Sequence, residues 1–229
     1  MSSEPRLETK SSGLWTVRCP HALGPLKLGG AMRVMERADG TLLLHSPIAF
    51  SEALKAQVDA LGEVSALLAP NGFHHLYIGA WMDAYPSATV YVSPALKEKR
   101  ADLQPVVVLE GDALDALRDD RLDLRVIGGM PRVGEVAMLH RPSGTLILTD
   151  LLMNLQGVSG ATAAYRWLFN LGPGQSPVMR LVIQDKRAYL ASIREILAWD
   201  FRRISLCHNE EIEDAGPEVL ERLALAPHL

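Results

Sequence analysis

The stretch "VSALLAPNGFHH" (64–75) decides the fold class, because two kinds of structure meet at one corner within it. The run 64–69 is short and apolar, which favours a buried strand. A Pro-Asn-Gly turn follows, and "HHLYIGAWMDAYP" (74–86) predicts a helix that stops before Pro86. A buried strand that turns directly into a helix is typical of an α/β fold, and here the turn delivers His74 and His75 side by side.

Strands and helices alternate on both sides of this corner over the first 110 residues. Asp39-Gly40 lies between two short apolar runs, which is a strong hairpin signal. Ser51 predicts the N-cap of a helix, and Gly62 predicts its end. The run "ATVYVS" (88–93) predicts a further strand. This alternation predicts a layered α/β fold.

The second half begins with strands and then returns to helices. Three strands are predicted in "LDLRVIGG" (122–129), "GEVAMLHRP" (134–142) and "GTLILTD" (144–150), and a last one in "RRISLCH" (202–208). The hairpin region 136–150 resembles residues 32–46, since both end in Gly-Thr-Leu, an aliphatic pair and two polar residues. We expect two similar halves within one domain (13–229), preceded by a flexible N-terminal tail (1–12).

Composition excludes several classes of protein. Hydrophobic residues make up 48% of the chain and charged residues 22%, as in ordinary globular proteins. The net charge is −4 without a basic block, which argues against nucleic-acid binding. No apolar run approaches the roughly 20 residues of a membrane helix, and the polar start lacks a signal-peptide core. Two cysteines far apart suggest no disulfide framework, so we expect a cytoplasmic protein.

Polar side chains follow three of the predicted strands. His74 and His75 follow the strand 64–69, Asp150 follows "TLILT", and His208 follows "ISLC". Ligand sites of open α/β sheets form at the carboxyl edge of the strands, so these side chains are expected to share one cleft. Imidazoles and a carboxylate together suit a transition metal such as zinc or iron.

The same residues also have plainer explanations. His74 can cap a helix, Asp150 can accept backbone N–H bonds at a strand end, and His208 can be a packed core histidine. Cys207 precedes His208 on a strand, so its side chain is expected on the opposite face, buried and inert. His45, at the end of the earlier hairpin, is a weaker candidate for the cleft wall. We further expect an exposed His140 and three tryptophans in the core: Trp81, Trp167 and Trp199.

Taken together, these features resemble the metallo-β-lactamase superfamily over roughly residues 13–225. The order of strand, His corner, helix, strand ending in Asp and strand ending in His carries the resemblance. The runs "DGTLLLHSP" (39–47) and "GTLILTDLLMN" (144–154) are similar to a bacterial branch of that superfamily with a degenerate metal-binding motif. The resemblance implies a four-layer αββα sandwich of two mixed β-sheets.

The metal motif of the superfamily, His-x-His-x-Asp-His, falls on residues 70–75. Its first two histidines become Pro70 and Gly72, the aspartate becomes His74, and the last histidine remains as His75. A further ligand histidine becomes Met130. The bridging aspartate corresponds to Asp150 and the C-terminal histidine to His208. The resemblance thus implies one site of His75, Asp150 and His208, with His74 as an auxiliary ligand.

The functional expectation is a metal-dependent hydrolase-like protein with at most one metal site and a small-molecule substrate. Asp150 and His75 are its expected catalytic residues. The cofactor is expected to be one divalent transition metal, with zinc favoured and iron or manganese as alternatives. The competing hypothesis is a non-catalytic descendant of the fold that binds a small ligand or a protein partner, and the metal can be absent. The apolar segment 153–177 is compatible with a homodimer.

Overall fold

The computed structural model describes residues 5–169, 172–208 and 211–228. The strands are β1 (Glu8–Ser11), β2 (Leu14–Cys19), β3 (Ala22–Leu23), β4 (Leu26–Lys27), β5 (Gly30–Glu36), β6 (Leu42–His45), β7 (Val64–Ala69), β8 (Thr89–Val92), β9 (Val107–Val108), β10 (Leu122–Val126), β11 (Val136–His140), β12 (Thr145–Leu148), β13 (Met153–Asn154), β14 (Pro173–Gly174) and β15 (Arg203–Leu206). The helices are α1 (Glu52–Asp59), α2 (Ile78–Ala84), α3 (Leu96–Lys99), α4 (Gly160–Phe169), α5 (Pro177–Leu181), α6 (Lys186–Leu197) and α7 (Pro217–Leu220).

Two mixed sheets form the centre of the molecule. The larger sheet has the order β1-β2-β5-β6-β7-β8-β9, with antiparallel pairs up to β6 and parallel pairs beyond it. The smaller sheet has the order β10-β11-β12-β15, in which only β12 and β15 run parallel. Two pairs of short strands, β3-β4 and β13-β14, lie outside these sheets.

Three apolar layers hold these elements together. Alternate residues of each strand point to opposite faces, so Leu43 lies between the two sheets while Leu44 packs outward. The inner layer joins residues such as Leu68 of β7 to Met138 of β11. Outside the larger sheet lie α1 and α2, and outside the smaller sheet lie α6 and α7. The order of layers is helix, sheet, sheet, helix, which confirms the predicted αββα sandwich.

The elements that local sequence signals predict are present in the structure, with one difference at the histidine corner. Ser51 caps α1, with its Oγ accepting from the backbone N–H of Leu54 at 3.2 Å. The helix predicted from His74 starts only at Ile78. The preceding backbone N–H groups of Phe73 and His74 instead donate to the side chain of Asn71, which keeps residues 73–77 in a turn.

The internal repeat corresponds to a repeat in topology. Each half contains an antiparallel hairpin, β5-β6 or β11-β12, whose second strand pairs in parallel with a later strand, β7 or β15. In this correspondence Ser46 takes the place of Asp150, because each lies at the same distance in sequence from the glycine of its hairpin turn, Gly40 or Gly144. The strand ends of both halves therefore reach the same region of the molecule.

Two expectations about the surface need correction. Residues Glu8–Ser11 fell in the expected tail but form β1, because they pair with β2 through the backbone. Trp167 was expected in the core and is 82% exposed on α4, whereas Trp81 is fully buried as expected. No helix in the described ranges combines the length and the apolar character needed to cross a membrane.

Candidate metal centre

Asn71 positions the histidine corner. Its side chain is fully buried, and its Nδ2 donates to Thr149 Oγ1 at 2.8 Å and to Asp150 Oδ2 at 2.7 Å. Its Oδ1 accepts from the backbone N–H groups of Phe73 and His74, each at 2.8 Å. One amide therefore ties the corner to the end of β12. Sequence reasoning overlooked this residue, although Asn in a Pro-Asn-Gly turn is a known signal for such backbone capture.

Glu135 positions the loop that carries Asp150. Its buried carboxylate accepts from three successive backbone N–H groups, those of Thr149, Asp150 and Leu151, at 2.8–2.9 Å. Burial and the nearby Asp150 charge together raise the pKa of Glu135 to about 7, although these hydrogen bonds act in the opposite direction. Glu135 thus accepts from the backbone N–H of Asp150. The carboxylate of Asp150 faces the cleft.

His208 comes from the end of β15 with its ring orientation set by the backbone. Its Nδ1 lies 2.8 Å from the carbonyl oxygen of Gly29. A carbonyl only accepts hydrogen bonds, so Nδ1 carries the proton and donates it there. Nε2 then presents a lone pair to the cleft when the ring is neutral, and it lies 3.1 Å from Asp150 Oδ1.

His74 meets these two residues from the other side. Its Nδ1 lies 2.7 Å from Ser46 Oγ, and its Nε2 lies 3.2 Å from Asp150 Oδ2. The Nε2 atoms of His74 and His208 are 3.3 Å apart. One ligand atom from each of His74, Asp150 and His208 lies within 4.8 Å of the others. Two imidazoles held through Nδ1 and one carboxylate form a donor set that suits zinc or iron.

The protonation states of His74, Asp150 and His208 depend strongly on one another. Burial alone would raise the pKa of Asp150, but the neighbouring His74 and His208 rings lower it well below its usual range. Burial likewise opposes protonation of His74, yet the Asp150 carboxylate raises the pKa of that ring well above its usual value. Without an ion the trio therefore holds a protonated His74 ring against an anionic Asp150 carboxylate. A metal cation would replace that proton at the same atoms.

His75 does not join the trio, which corrects the expected roles of the two neighbouring histidines. Its Nδ1 lies 2.8 Å from Arg100 Nη1, and its carbonyl oxygen accepts from the same nitrogen at 3.1 Å. Burial, Lys99 and Arg100 lower the pKa of His75. The geometry reverses the predicted ranking: His74 points to Asp150, and His75 points to the guanidinium. The reason is the turn at Asn71, since consecutive residues of a turn project in different directions.

Gly72, one of the positions of a missing ligand, has no room for a side chain. A Cβ atom on Gly72 would lie 2.5 Å from the carbonyl oxygen of Arg132. Met130 is buried in the apolar layer between the smaller sheet and its helices. In the described part of the chain, the trio is the only cluster of at least three His, Cys, Asp or Glu residues that could hold an ion.

Three further polar residues have surroundings that the sequence did not predict. Cys207 is buried as expected, but its Sγ lies 2.8 Å from Nη1 of the buried Arg33. Burial opposes ionisation of the thiol, while Arg33 and His74 lower its pKa to about 6. Ser205, two positions earlier on β15, also accepts from Arg33, so Cys207 keeps the face that strand alternation predicts. His45 is fully buried and does not line the cleft, and His140 is buried rather than exposed.

The trio forms the polar floor of a pocket of about 510 Å³. His21, from the loop after β2, also faces this pocket, with its ring centroid 6.4 Å from that of His208. The sequence offered no signal for His21, because it lies outside every motif. The walls are mainly apolar and include Leu26, Leu28, Ile48, Met153, Tyr165 and Met179.

Comparison with solved structures identifies the fold. A metallo-β-lactamase from Erythrobacter litoralis superimposes with a TM-score of 0.66 at 15% identity, covering 98% of this chain and 97% of that one. A metallo-β-lactamase from Pontibacter korlensis gives 0.65 at 13% identity, with 95% and 99% covered. FIM-1 from Pseudomonas aeruginosa, in a mono-zinc form, gives 0.62 at 14% identity, with 98% and 96% covered. At these identities the likeness establishes the fold alone.

Sequence comparison adds the family. No curated protein matches the chain. Residues 12–165, more than half of the chain, match the family described as domain of unknown function DUF4336. The matched segment includes the histidine corner and Asp150 and ends before His208. The protein therefore belongs to the DUF4336 family and has a metallo-β-lactamase fold.

Proposed function

We propose that this protein is a hydrolase-like metalloprotein that holds a single divalent transition metal, with zinc favoured, through His74, Asp150 and His208. One observation carries the proposal: both imidazoles are held through Nδ1, by Ser46 and by the Gly29 carbonyl, so that both Nε2 atoms face the Asp150 carboxylate. Such partners behind the ring select the tautomer and orientation that a metal ligand needs. The neighbouring structures named as metallo-β-lactamases, one of them in a mono-zinc form, support the assignment.

A bound ion there would supply a water of lowered pKa and polarise a carbonyl or phosphoryl group. The residues of the chain have separate tasks around it. Asp150 supplies the anionic ligand and is anchored at the backbone by Glu135. Asn71 donates to Asp150 Oδ2, which keeps the carboxylate oriented. The apolar walls of the pocket exclude water, and His21 is placed to exchange a proton with a group bound above His208.

A second candidate is a non-catalytic relative that binds a small ligand or a partner protein without metal. The hydrogen bonding of the trio favours it, because the Asp150 carboxylate contacts both His74 and His208 and can pair with a protonated imidazole in place of an ion. The absence of side-chain ligands at Pro70 and Gly72 points the same way. Metal binding separates the two candidates, since only the first requires it.

The expectations about domain, compartment and partners are also part of this proposal. We infer one domain over residues 13–229 and a cytoplasmic protein that acts on small molecules rather than on nucleic acid or membranes. Both cysteines, Cys19 and Cys207, are free, which suits a reducing compartment. The exposed side chains of Trp167 and Leu168 on α4 support the expectation of a homodimer.

Elemental analysis and zinc-titrated melting curves test the proposal. We expect at most one transition metal per chain, and stabilisation by about 3 kcal/mol when zinc reaches 100 times its Kd. Asp150→Ala should abolish both the bound metal and the stabilisation, because the anionic ligand is lost. Asp83→Ala, which removes an exposed carboxylate from α2, should leave both unchanged. The proposal fails if zinc, iron and manganese all leave the melting temperature of the parent protein unchanged.

A further inference from the structure

The pocket beside the trio combines one polar cluster with a mainly apolar lining. Its floor carries Ser46, His74, Asp150 and His208, whereas its walls are mainly aliphatic and aromatic side chains. A volume of about 510 Å³ is within the range of pockets that enclose a ligand larger than the head group held at the floor. A ligand that fills this space therefore needs one polar end and an extended apolar body.

The apolar lining continues out of the pocket to the surface. Five large apolar residues both line the pocket and remain partly or largely exposed: Leu23, Phe73, Leu76, Tyr77 and Val178. They come from three separate segments, namely the β3-β4 hairpin, the histidine corner and α5. Exposed apolar side chains gathered at one opening mark a binding site for apolar groups. The chain of a bound molecule can thus extend from the floor to the mouth along apolar side chains.

The charge around the pocket indicates an uncharged head group. Among the described residues, Lys99 is the single lysine or arginine that lines the pocket. Its Nζ donates to the carbonyl oxygen of Gly72 and lies 5.5 Å from the centroid of the Phe73 ring. The floor itself contains the Asp150 carboxylate. A phosphate or sulfate head would thus depend on Lys99, whose Nζ already donates to the Gly72 carbonyl, whereas a carbonyl needs no lysine or arginine.

We infer that the pocket binds an acyl ester with a medium-length aliphatic chain, its carbonyl at the floor beside His74 and His208 and its chain along the wall that includes Val178. The cleavage step rests on the proposed metal function, whereas the binding of the chain does not. In that step a water molecule adds its hydroxyl to the acyl carbon and the acyl C–O bond breaks. The water's other proton goes to the departing alkoxide, which leaves as an alcohol, and the carboxylic acid product ionises in solvent.

Binding of uncharged methyl ketones tests the inference without requiring cleavage. Calorimetric titration of 2-hexanone, 2-octanone and 2-undecanone into the parent protein, with and without zinc, should show affinity rising about two- to fourfold for each added methylene. Val178→Asn should weaken 2-undecanone binding by roughly three- to tenfold, because Val178 lines the pocket. Leu181→Asn is the matched control on the same helix, since Leu181 is 82% exposed and does not line the pocket.

Hydrolysis of p-nitrophenyl acetate, octanoate and decanoate by zinc-loaded protein gives the second readout. We expect kcat/KM to rise with chain length in the parent and in Leu181→Asn, and to rise less in Val178→Asn. Ketone affinities that do not depend on chain length, or equal effects of the two α5 variants, would overturn the inference. Tighter binding of phenyl phosphate than of a phenyl ketone of similar size would also overturn the inference.

The two proposals fail in distinguishable ways. If the ketones bind with the expected chain-length dependence while zinc does not bind, the metal function is wrong and the ligand class stands. If zinc binds at one per chain while the ketones show no such dependence, the ligand class is wrong and the metal function stands.

Discussion

The Nε2 atoms of His74 and His208 lie 3.3 Å apart, although 134 positions separate the two residues in the chain. His74 belongs to the half of the fold built on β7, and His208 follows β15 in the other half. Their contact, bridged by Asp150, marks the point where the strand ends of the two pseudo-repeated halves meet.

Neighbouring histidines should respond differently to the same substitution. His74→Ala should weaken zinc binding by more than the roughly 100-fold that loss of a supporting hydrogen bond can cost, because a ligand is removed. His75→Ala should leave zinc affinity unchanged, since its ring contacts Arg100 instead of Asp150. Competition with a zinc chelator measures both. A larger loss with His75→Ala would restore the ranking that the superfamily motif implied.

Ser46 should tune metal affinity through His74. Ser46→Ala removes the partner of His74 Nδ1 and should lower zinc affinity by about tenfold. Ser143→Ala is a matched control, because Ser143 is also a buried serine, and its Oγ lies 2.8 Å from His140 Nδ1 outside the pocket. Equal losses in the two variants would point to a general effect of folding rather than to orientation of the His74 ring.

A histidine restored at position 72 should not rebuild a second metal site. The Cβ of any larger residue there would lie 2.5 Å from the Arg132 carbonyl oxygen, so the backbone must shift. Gly72→His should therefore reduce the free energy of unfolding by about 1–3 kcal/mol and leave the metal content at one per chain or less. Urea denaturation and elemental analysis measure the two effects. Two tightly bound ions in the variant would contradict this account of the corner.

Acid should destabilise the protein partly through His140. Burial, with the nearby Arg121, lowers the pKa of His140 to about 4. In the unfolded chain the ring takes up a proton below about pH 6.5. In the native protein the His140 ring stays neutral until the pH falls to about 4. The contribution of neutral His140 is therefore complete above about pH 6.5 and is lost as the pH falls towards 4, by at most about 3 kcal/mol.

His140→Asn isolates this contribution, because asparagine does not titrate. Urea denaturation at about pH 7 and about pH 4 should show that the parent loses more stability than the variant over this interval. Parallel pH profiles of the two proteins would mean that His140 is protonated equally in the native and unfolded states.

The sequence by itself determined the elements and their layering. Short-range rules sufficed for the Ser51 cap, the Asp39-Gly40 hairpin and the buried strand 64–69, because capping, turn chemistry and apolar periodicity act between residues a few positions apart. The resemblance to the superfamily then supplied the αββα order and placed Asp150 and His208 at strand ends. His74 was also a candidate, although only as an auxiliary ligand.

The tertiary structure alone decided which way the side chains face. Asn71 bonds at once to its own turn and to Thr149 and Asp150, and this long-range amide contact turns His74 inward and leaves His75 to Arg100. Cys207 contacts Arg33, a residue 174 positions away in the chain. Trp167 is exposed although its helix looked like a core helix. In each case the direction of a side chain depends on partners distant in sequence, which periodicity along the chain does not contain.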